Sequence, residues 1–505
     1  MPRRILEGEP ARRAISRGAT QLARAVRVTL GPRGRTVLVD QGALGPAITN
    51  DGAAVAREVE LPDPFENLGA RLVREAAQRT FEEAGDGTSS AIVLAHAILE
   101  HGLQQVAQGH APVQLKRGIE HAARAVSAHL KAQARPLATR EERLAVAAIA
   151  AGGDLAAAAL VEEALAHVGA AGVVTIRAGN GTESRLDFAP GLAFDRGWLS
   201  AYFVTHPEDM RCLLERPLVL IAAQRLDRPD DVAPALEAAR AVGRPLLVLA
   251  EDIEGSALQT LVVNQLRGIV QACAVQAPGL GAGRRAWLES LARVSSATLF
   301  GAESGREAAT ASAEDLGGFE RAVIERAHTS LAFDTAAGAA ASGGVATIEV
   351  GAPSAAEAIA LHARLEDALT ALRSAMSEGV VTGGGVALLR AREAARSVPL
   401  AGGAKAGAEA VAASLGEPAR WIAHNAGADG EEIVAALQAA SGETGFDASQ
   451  GKIVDLARAG ILDPARVVRV AFEQAAAVAA LILTTETLVV DDGEPEPPKE
   501  VDPEA

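Results

Sequence analysis

Residues 85–95, Gly-Asp-Gly-Thr-Ser-Ser-Ala-Ile-Val-Leu-Ala, place a carboxylate, three hydroxyls and two glycines directly before an apolar run. Glycines let backbone N–H groups approach phosphate oxygens, a helix N-terminus favours anions, and an aspartate supplies the oxygen ligand that Mg²⁺ prefers. The segment therefore predicts a phosphate and metal site at the start of a helix. The alternative at this point is an Asp or Thr cap after a turn.

Helical periodicity surrounds this segment. Ala, Leu and Val recur at three- and four-residue spacing over 11–30 and 66–134, which predicts a mostly helical block. From about residue 172, short β-rich runs alternate with helical patterns, which predicts an α/β region with parallel strands. A strand over 345–350 and a helix over about 355–377 follow, and then mostly helical sequence. The order of helical, α/β and helical sequence predicts a middle domain inserted into a discontinuous one.

Composition limits the classes of function. The 505 residues are 49% apolar, so the chain can bury large cores and several domains are expected. A formal charge of −16 argues against a non-specific nucleic-acid binder, which needs clustered Lys and Arg. The only cysteines, Cys212 and Cys273, are far apart in sequence, which indicates neither a disulfide framework nor a cysteine metal site.

The two ends of the chain carry no targeting signal that the composition reveals. The N-terminus lacks the apolar core of a secretory signal, and no apolar run reaches the length of a membrane span. These observations favour the cytoplasm. Residues 491–505 are acidic and Pro-rich, which predicts a disordered tail.

Other short segments share the chemistry of residues 85–90. They are Thr29-Leu30-Gly31-Pro32, Asn50-Asp51-Gly52 and Gly383-Gly384-Gly385, and each alone is most simply a loop. The sequence contains no P-loop, no zincin motif and no serine-hydrolase motif of the usual form.

In this order and at these separations, the segments resemble the GroEL-type (group I) chaperonins. The resemblance rests on a collinear set that includes residues 29–35, 48–59, 65–70, 85–95, 115–119, 194–200, 250–255, 261–264, 276–279, 365–369 and 460–464. It implies a multidomain fold, part α/β and part mostly α. A helical equatorial domain would span 1–132 and 378–505, a small α+β intermediate domain 133–189 and 346–377, and an inserted α/β apical domain 190–345.

The resemblance also implies an ATP site in the equatorial domain. The phosphates would contact Thr29, Leu30, Gly31, Pro32, Asn50, Asp86, Gly87, Thr88, Ser89 and Ser90, and the adenosine part would contact Gly384, Asp447, Ala448, Ser449 and Asp463. Asp86 would bind Mg²⁺, with K⁺ as a candidate second ion. Asp367 would polarise the attacking water with Asp51 close by, because hydrolysis needs mainly positioning and charge stabilisation. Without the resemblance, Asp367 would be assigned to a surface ion pair with Arg364.

A second region is marked by aromatic residues, which make up only 3% of the chain. Trp198, Tyr202 and Phe203 fall within six residues, and core packing is the ordinary explanation. The resemblance instead implies an exposed apolar rim that captures non-native polypeptides and then a GroES-type co-chaperonin lid. Its members would be Trp198, Tyr202, Phe203, Ala233, Leu236, Leu258, Val262 and Val263. The implied assembly is a homo-oligomer of two stacked seven-subunit rings, with no nucleic-acid or membrane partner.

Departures from the family pattern lie mainly in the apical part. Ala233 stands where a leucine is usual, the stretch 324–343 is too short for a helical hairpin found in group I members, and Ala355 matches the usual partner of Arg196. In the predicted ATP site, Asn50 stands where a lysine is usual and Asp447 where an asparagine is usual. The leading hypothesis is an ATP-hydrolysing ring chaperonin, and its alternative is an ATPase-weak binding scaffold. A metabolic kinase is disfavoured because no small-molecule pocket is suggested.

Overall fold

The structure, a computed structural model, describes residues 3–40, 46–169, 173–179, 181–188, 191–207, 210–333 and 345–491. Its helices are α1 Gly8–Arg27, α2 Gly52–Glu58, α3 Pro64–Ala84, α4 Thr88–Ala107, α5 Pro112–Gln133, α6 Arg140–Ala150, α7 Leu155–Val168, α8 Ala233–Val242, α9 Gly255–Leu266, α10 Gly281–Ser295, α11 Ala355–Glu378, α12 Val386–Arg390, α13 Arg392–Arg396, α14 Gly402–Ser414, α15 Glu417–Asn425, α16 Gly430–Ala439 and α17 Ala465–Leu483.

The strands complete the description. They are β1 Arg3–Glu7, β2 Val37–Asp40, β3 Pro46–Thr49, β4 Val173–Ala178, β5 Arg185–Asp187, β6 Gly191–Phe194, β7 Cys212–Glu215, β8 Leu218–Leu226, β9 Leu246–Ile253, β10 Ala272–Gln276, β11 Leu299–Phe300, β12 Gly317–Gly318, β13 Arg321–Ile324, β14 Thr329–Ala332, β15 Val345–Val350, β16 Val380–Thr382, β17 Thr444–Asp447, β18 Lys452–Asp455, β19 Leu462–Pro464 and β20 Thr487–Asp491. The tail predicted beyond residue 491 and residues 334–343 of the shortened apical stretch lie outside the described residues.

Two compact units divide the chain. The first unit takes in Met1–Leu137 and Glu378–Ala505, and the second unit takes in Ala138–Ser377. Both ends of the sequence therefore build one unit, and the middle builds the other. The boundaries of the three domains implied by the resemblance stay a prediction.

Helix α4 lies at the centre of the first unit. Its residues 91–95 are all buried, because α1, α3, α14 and α17 pack around it. A helix that is apolar on every side is expected where neighbours cover it completely. Each fully buried Ile or Leu of this helix contributes about 1.5–3 kcal/mol. The packing of α4 thus fixes the position of the turn that precedes it.

Short antiparallel strand pairs surround the helices of the first unit. Within its described residues, β1 pairs with β20, β2 with β3, β16 with β19, and β17 with β18. The first pair joins the two ends of the sequence, with Arg3 opposite Asp491. The third pair places Val381 opposite Asp463 and so brings the glycines that follow β16 beside β19.

The second unit contains the predicted parallel strands. Its main sheet has the order β10-β9-β8-β11 with all neighbours parallel, and β12 adds to β8 in the antiparallel sense. The strands β8 and β9 are apolar over continuous runs, as expected for a parallel sheet covered on both faces. A separate antiparallel sheet has the order β6-β14-β13-β7, and a third has the order β4-β15-β5. The predicted α/β region is therefore confirmed.

The two cysteines meet in the core of the second unit. Cys212 of β7 and Cys273 of β10 are both buried free thiols, although 61 residues separate them in sequence. Burial and the contact with Cys212 raise the pKa of the Cys273 thiol well above its usual value. Among the helices that the structure describes, none is both long and apolar enough to cross a membrane.

Candidate nucleotide site

The turn at residues 85–87 separates two helices of the first unit. Gly85 ends α3 with a φ of 78°, and Gly87 precedes α4 with a φ of 91°. Glycine enters this left-handed region at little cost. Asp86 accepts a hydrogen bond from the N–H of Gly87, and no side chain of the described residues caps α4. The helix-cap alternative therefore fails for Asp86, whose carboxylate faces solvent and can take a ligand.

Three distant segments converge at Gly52. A Cβ atom at this position would lie 2.0 Å from Oγ of Ser89 and 2.9 Å from Oγ1 of Thr29. A Cβ atom at this position would force one or both hydroxyls to move, so glycine lets the three segments approach this closely with these side chains in place. The structure thus brings the phosphate segments predicted at 29–32 and 86–90 together.

Asp51 directly precedes this glycine and caps α2. Its carboxylate accepts hydrogen bonds from the N–H groups of Ala53 at 2.8 Å and Ala54 at 3.1 Å. Asn50 is exposed beside it. The cap holds the Asp51 carboxylate in one orientation, close enough to Asp86 for the two charges to interact.

The carboxylates of Asp51, Asp86 and Asp463 create a strongly negative site. Protein atoms surround the solvent-accessible Asp86 on most sides, and this desolvation raises its pKa, as does the charge of Asp51, against the opposing hydrogen bond from Gly87. Burial and the charge of Asp86 raise the pKa of Asp463 to about 6. Mutual repulsion of this kind is relieved when a cation binds.

Mg²⁺ fits this set of oxygen donors better than a metal held by protein alone. In the part of the chain that the structure describes, no group of three His, Cys, Asp or Glu side chains could hold a metal ion. Mg²⁺ commonly keeps waters and binds through one or two carboxylates together with substrate phosphates. Asp86 can supply such a carboxylate. The K⁺ ion expected from the resemblance stays a prediction.

Helix α15 supports the loop after α1 through hydrogen bonds. The sequence alone did not indicate this contact. The buried Asn425 donates from Nδ2 to the carbonyls of Arg27 at 2.8 Å and Leu30 at 2.9 Å. Gly31, with a φ of 87°, packs its backbone against Ile422. No motif marks Asn425, and its one sequence signal is a polar residue on the otherwise apolar face of a helix.

The residues predicted near the adenosine part gather at the ends of short strands. A Cβ atom on Gly383 would lie 3.0 Å from Oδ1 of Asp463, and the next residue, Gly384, approaches the carbonyl of Phe446. Arg33 donates to the carbonyl of Ser449 at 2.7 Å and so links this region to the loop after α1.

Asp447 has a structural function in the same region. Its buried carboxylate accepts hydrogen bonds from the N–H groups of Ser449 at 2.9 Å and Gln450 at 3.2 Å. It therefore holds the turn between β17 and β18, and Ala448 is buried within that turn. An asparagine could accept the same hydrogen bonds through its carbonyl oxygen, so the aspartate preserves the turn.

Asp367 lies in the second unit, on the exposed side of α11. Arg364, the partner considered for it, lies with Nε 3.4 Å from Oδ2 of Asp154. Asp154 also caps α7 through the N–H groups of Ala156 and Ala157. The function of Asp367 in polarising water stays a prediction.

The predicted apolar rim divides into exposed and buried residues. Tyr202 is 64% exposed and Val263 is also exposed, whereas Phe203 and Leu236 are buried in the core of the second unit. Phe203 and Leu236 are therefore corrected from surface to core residues, because the main sheet and its helices cover them. The remaining predicted members, Trp198, Ala233, Leu258 and Val262, are half-buried.

Three further exposed apolar residues escaped the motif comparison. They are Met210, Leu266 and Ile269. Leu266 is the last residue of α9, and Ile269 lies three residues beyond the end of that helix. The nitrogen of the Trp198 ring donates to the carbonyl of Met210 at 3.3 Å, which ties that segment to the aromatic cluster.

Comparisons with known proteins agree with this geometry. The model of the TCP-1/cpn60 chaperonin family matches residues 22–493. The chain is 41% identical over 534 residues to Chaperonin GroEL 5 of Bradyrhizobium diazoefficiens, covering 99% of this chain and 98% of that protein. Its fold is similar, with a TM-score of 0.71 and 20% identity, to the chaperonin gp146 from the bacteriophage EL 2 (Pseudomonas aeruginosa), crystallised in the presence of ATP-BeFx. That similarity covers 97% of this chain and 99% of the phage protein. The chain belongs to the TCP-1/cpn60 chaperonin family.

Proposed function

We propose that this ATP-dependent chaperone hydrolyses ATP at the site in its first unit, and that hydrolysis drives the capture and release of non-native polypeptides by its second unit. The observation that supports hydrolysis most strongly is Asp86. This carboxylate does not cap its helix, is accessible to solvent, and has a raised pKa beside two further carboxylates. Such an arrangement is unfavourable for stability alone and suits a site that binds a cation with its substrate.

Different residues of the first unit would bind different parts of the nucleotide. Backbone N–H groups and hydroxyls of the segments 29–32 and 87–90 would contact the phosphates, where glycines permit close approach. Asp86 would hold Mg²⁺, which neutralises phosphate charge when it is bound. Asp463 and the backbone at Gly384 would contact the adenosine part.

The attacking water would be oriented by carboxylates. Asp51 already has a fixed orientation, because two N–H groups of α2 hold it. Asp367 would come from the second unit and accept the proton of the water as the bond to the γ-phosphorus forms.

The rest of the proposal concerns partners. Tyr202, Val263 and the exposed residues near them would bind apolar segments of unfolded chains without sequence specificity. A homo-oligomer of two stacked seven-subunit rings, closed by a co-chaperonin lid in the cytoplasm, follows the family resemblance. Support within the first unit comes from the β2–β3 pair, where Leu38 and Ile48 are 69% and 75% exposed. Two strands with bare edges and exposed apolar side chains are expected to pair with another subunit.

Phosphate release from ATP tests the proposal. Asp86→Asn and Asp367→Ala should each lower the rate at least about 100-fold, the scale of losing a positioned charge or base. Asp51→Asn should also lower it, whereas Asp63→Asn should not, although Asp63 caps α3 through the N–H groups of Phe65 and Glu66 in the same way. Asparagine is a good cap, so both variants keep their helix starts.

Two results would change the conclusion. Equal and substantial rates in the wild type and in Asp367→Ala would remove Asp367 from the mechanism. Negligible phosphate release by the wild type, together with retained polypeptide binding, would favour the ATPase-weak scaffold, and negative-stain images would then show whether rings form.

A further inference from the structure

Three side chains of the second unit form a hydrogen-bonded series that the nucleotide site does not use. Oδ1 of Asp195 lies 3.3 Å from Nδ1 of His328, and Nε2 of the same imidazole lies 3.3 Å from Oγ of Ser330. The carboxylate contacts one ring nitrogen and the hydroxyl contacts the other. This is the order of contacts in which an imidazole removes a proton from a serine while an acid stabilises the resulting positive charge.

The acid of this series is ionised and fixed in place. Burial opposes the charge of Asp195, but hydrogen bonds from His328 and from the N–H of Ala178 outweigh it and lower the pKa of the carboxyl group. An ionised Asp195 accepts a hydrogen bond from Nδ1–H of His328, which leaves Nε2 as the acceptor for the hydroxyl of Ser330. The tautomer that general-base catalysis requires is therefore the favoured one.

The sheet β6-β14-β13-β7 holds the series at an accessible surface. Along β14, Thr329 and Leu331 are buried, whereas Ser330 between them is partly exposed on the opposite face. Its register partners are Ala193 on β6 and Val323 on β13, both half-buried. Side chains directly opposite one another in antiparallel strands share a face, so the hydroxyl lies between two small apolar side chains.

A second hydrogen bond holds the loop of Asp195 against the strand of Ser330. Thr329 donates from Oγ1 to the carbonyl of Arg196 at 2.6 Å. Because Arg196 follows Asp195 directly, this contact fixes the distance between the acid and the strand that carries the nucleophile. The three groups belong to two segments more than 130 residues apart in sequence, and only the fold brings them together.

We propose that Ser330, His328 and Asp195 form an acyl-transfer site for small carboxylic esters, separate from ATP hydrolysis. Oγ of Ser330 forms a bond to the ester carbonyl carbon while its proton passes to Nε2 of His328. The bond from that carbon to the leaving oxygen then breaks, and the leaving group takes the proton from His328. Water, deprotonated by the same nitrogen, then forms a bond to the acyl carbon. The bond from that carbon to Oγ breaks, and Oγ takes the proton back from His328 as the carboxylic acid leaves. Asp195 acts as a positioning residue.

The exposed setting determines which esters react. The oxyanion of the intermediate forms at a surface that water reaches, so its charge is stabilised less than in an enclosed site. Esters with good leaving groups, such as aryl acetates, depend least on that stabilisation. The flanking Ala193 and Val323 leave space for short acyl groups.

p-Nitrophenyl acetate tests the proposal on the full-length protein. We expect a burst of about one nitrophenolate per chain and acetylation located at Ser330 by mass spectrometry. Ser330→Ala and His328→Gln should slow acetylation at least about tenfold. Asp195→Asn should slow acetylation as well, whereas Asp195→Glu should keep part of the rate because it keeps the carboxylate. If Asp195 had only a structural function, the two variants would not differ in this way. Phosphate release from ATP should be unchanged in all four variants.

Matched controls separate this site from ordinary surface chemistry. Ser256, an exposed serine of α9 whose hydroxyl donates to the carbonyl of Asp227, should acetylate no faster than background, and Ser256→Ala should change nothing. Ser330→Cys gives a readout that does not depend on ester turnover. Both native cysteines are buried, so iodoacetamide should react first at position 330, about tenfold faster with His328 than with the additional change His328→Gln.

The outcome is decisive in either direction. Acetylation spread over several side chains, or an unchanged rate in Ser330→Ala or His328→Gln, would overturn the proposal. A failure of ATP hydrolysis would not affect it, because the two sites share no residue and have different readouts.

Discussion

The candidate nucleotide site of the first unit depends on backbone turns and charges, whereas the proposed apolar rim of the second unit depends on the exposure of side chains. In the first unit, Gly52 leaves space for the hydroxyls of Ser89 and Thr29, and a Cβ atom at that position would displace them. In the second unit, the adjacent Tyr202 and Phe203 have opposite environments, since one is exposed and the other lies in the core.

The difference shows which kind of site a local motif determines. The backbone of a turn that requires glycine is determined by a few consecutive residues, so a short motif shared with another protein predicts that backbone. The exposure of a side chain depends on which other parts of the unit cover it, so a shared motif does not predict exposure. Substitutions at paired positions in the two units test this contrast.

The largest effect is expected at Phe203. Phe203→Ala should lower the free energy of unfolding by about 3–5 kcal/mol, because it leaves a cavity in the core of the second unit. Tyr202→Ala, one residue earlier, should change stability little and instead weaken binding of a denatured polypeptide. Chemical denaturation and a polypeptide-binding assay on both variants measure this. Equal losses of stability would show that Tyr202 is also a core residue.

The next effect is expected at Gly52. Gly52→Ala should lower nucleotide affinity about 10- to 100-fold, since a Cβ atom would displace the hydroxyl of Ser89 or Thr29 and so remove a hydrogen bond to a charged phosphate. Gly283→Ala is the control in the second unit, where the nearest atom to the new methyl group would be Oγ1 of Thr370 at 3.6 Å. Isothermal titration with a non-hydrolysable nucleotide gives both values. Unchanged affinity in Gly52→Ala would mean that the segments adjust without loss.

Asn425 should have a smaller effect. Asn425→Ala leaves the carbonyls of Arg27 and Leu30 without their donor and should cost about 1–3 kcal/mol in stability, with a parallel fall in nucleotide affinity. Asn264→Ala is the matched control, because Asn264 donates to the carbonyl of Thr260 within its own helix of the second unit. A loss of affinity equal to that of the control would exclude Asn425 as a support of the phosphate loop.

The smallest effect is a pH dependence. Asp463 has a folded-state pKa of about 6, above its value in the unfolded chain, so between about pH 4 and pH 6 the folded state binds more protons. Stability of the nucleotide-free protein should therefore fall as pH rises through this range, on the order of 1 kcal/mol because the carboxylate keeps contact with water. Asp463→Asn should reduce the slope, and the raised pKa of Asp86 should leave a smaller remainder. A slope of unchanged size in this variant would assign it to another group.

The sequence predicts the turn before α4 well for a physical reason. Gly85 and Gly87 need left-handed backbone angles, and the apolar run after them needs a buried helix, so local chemistry and fold agree. Asn425 could not be found in this way, because its function depends on the carbonyls of a loop almost 400 residues earlier. The same limit applies to Asp195 and Ser330, which no sequence spacing connects.

The parallel sheet of the second unit is also predictable, since β8 and β9 are continuous apolar runs between helical patterns. The burial of Leu236 cannot be predicted in the same way. Periodicity indicates that its segment forms a helix, α8, but does not indicate whether the apolar side chains of that helix contact a sheet or solvent. Only the packing of the whole unit decides between these environments.

The pairing of β1 with β20 has a consequence for how the chain is made. The second unit is complete once residue 377 has been synthesised, but the first unit still needs α17 and β20 from the far end of the sequence. At about 5–20 residues per second, α5 waits roughly 20–70 s for the helix that covers it. During that interval α3, α4 and α5 expose the apolar surfaces that later form the core. A chaperone of unfolded chains is thus itself, during its own synthesis, a chain that needs protection from aggregation.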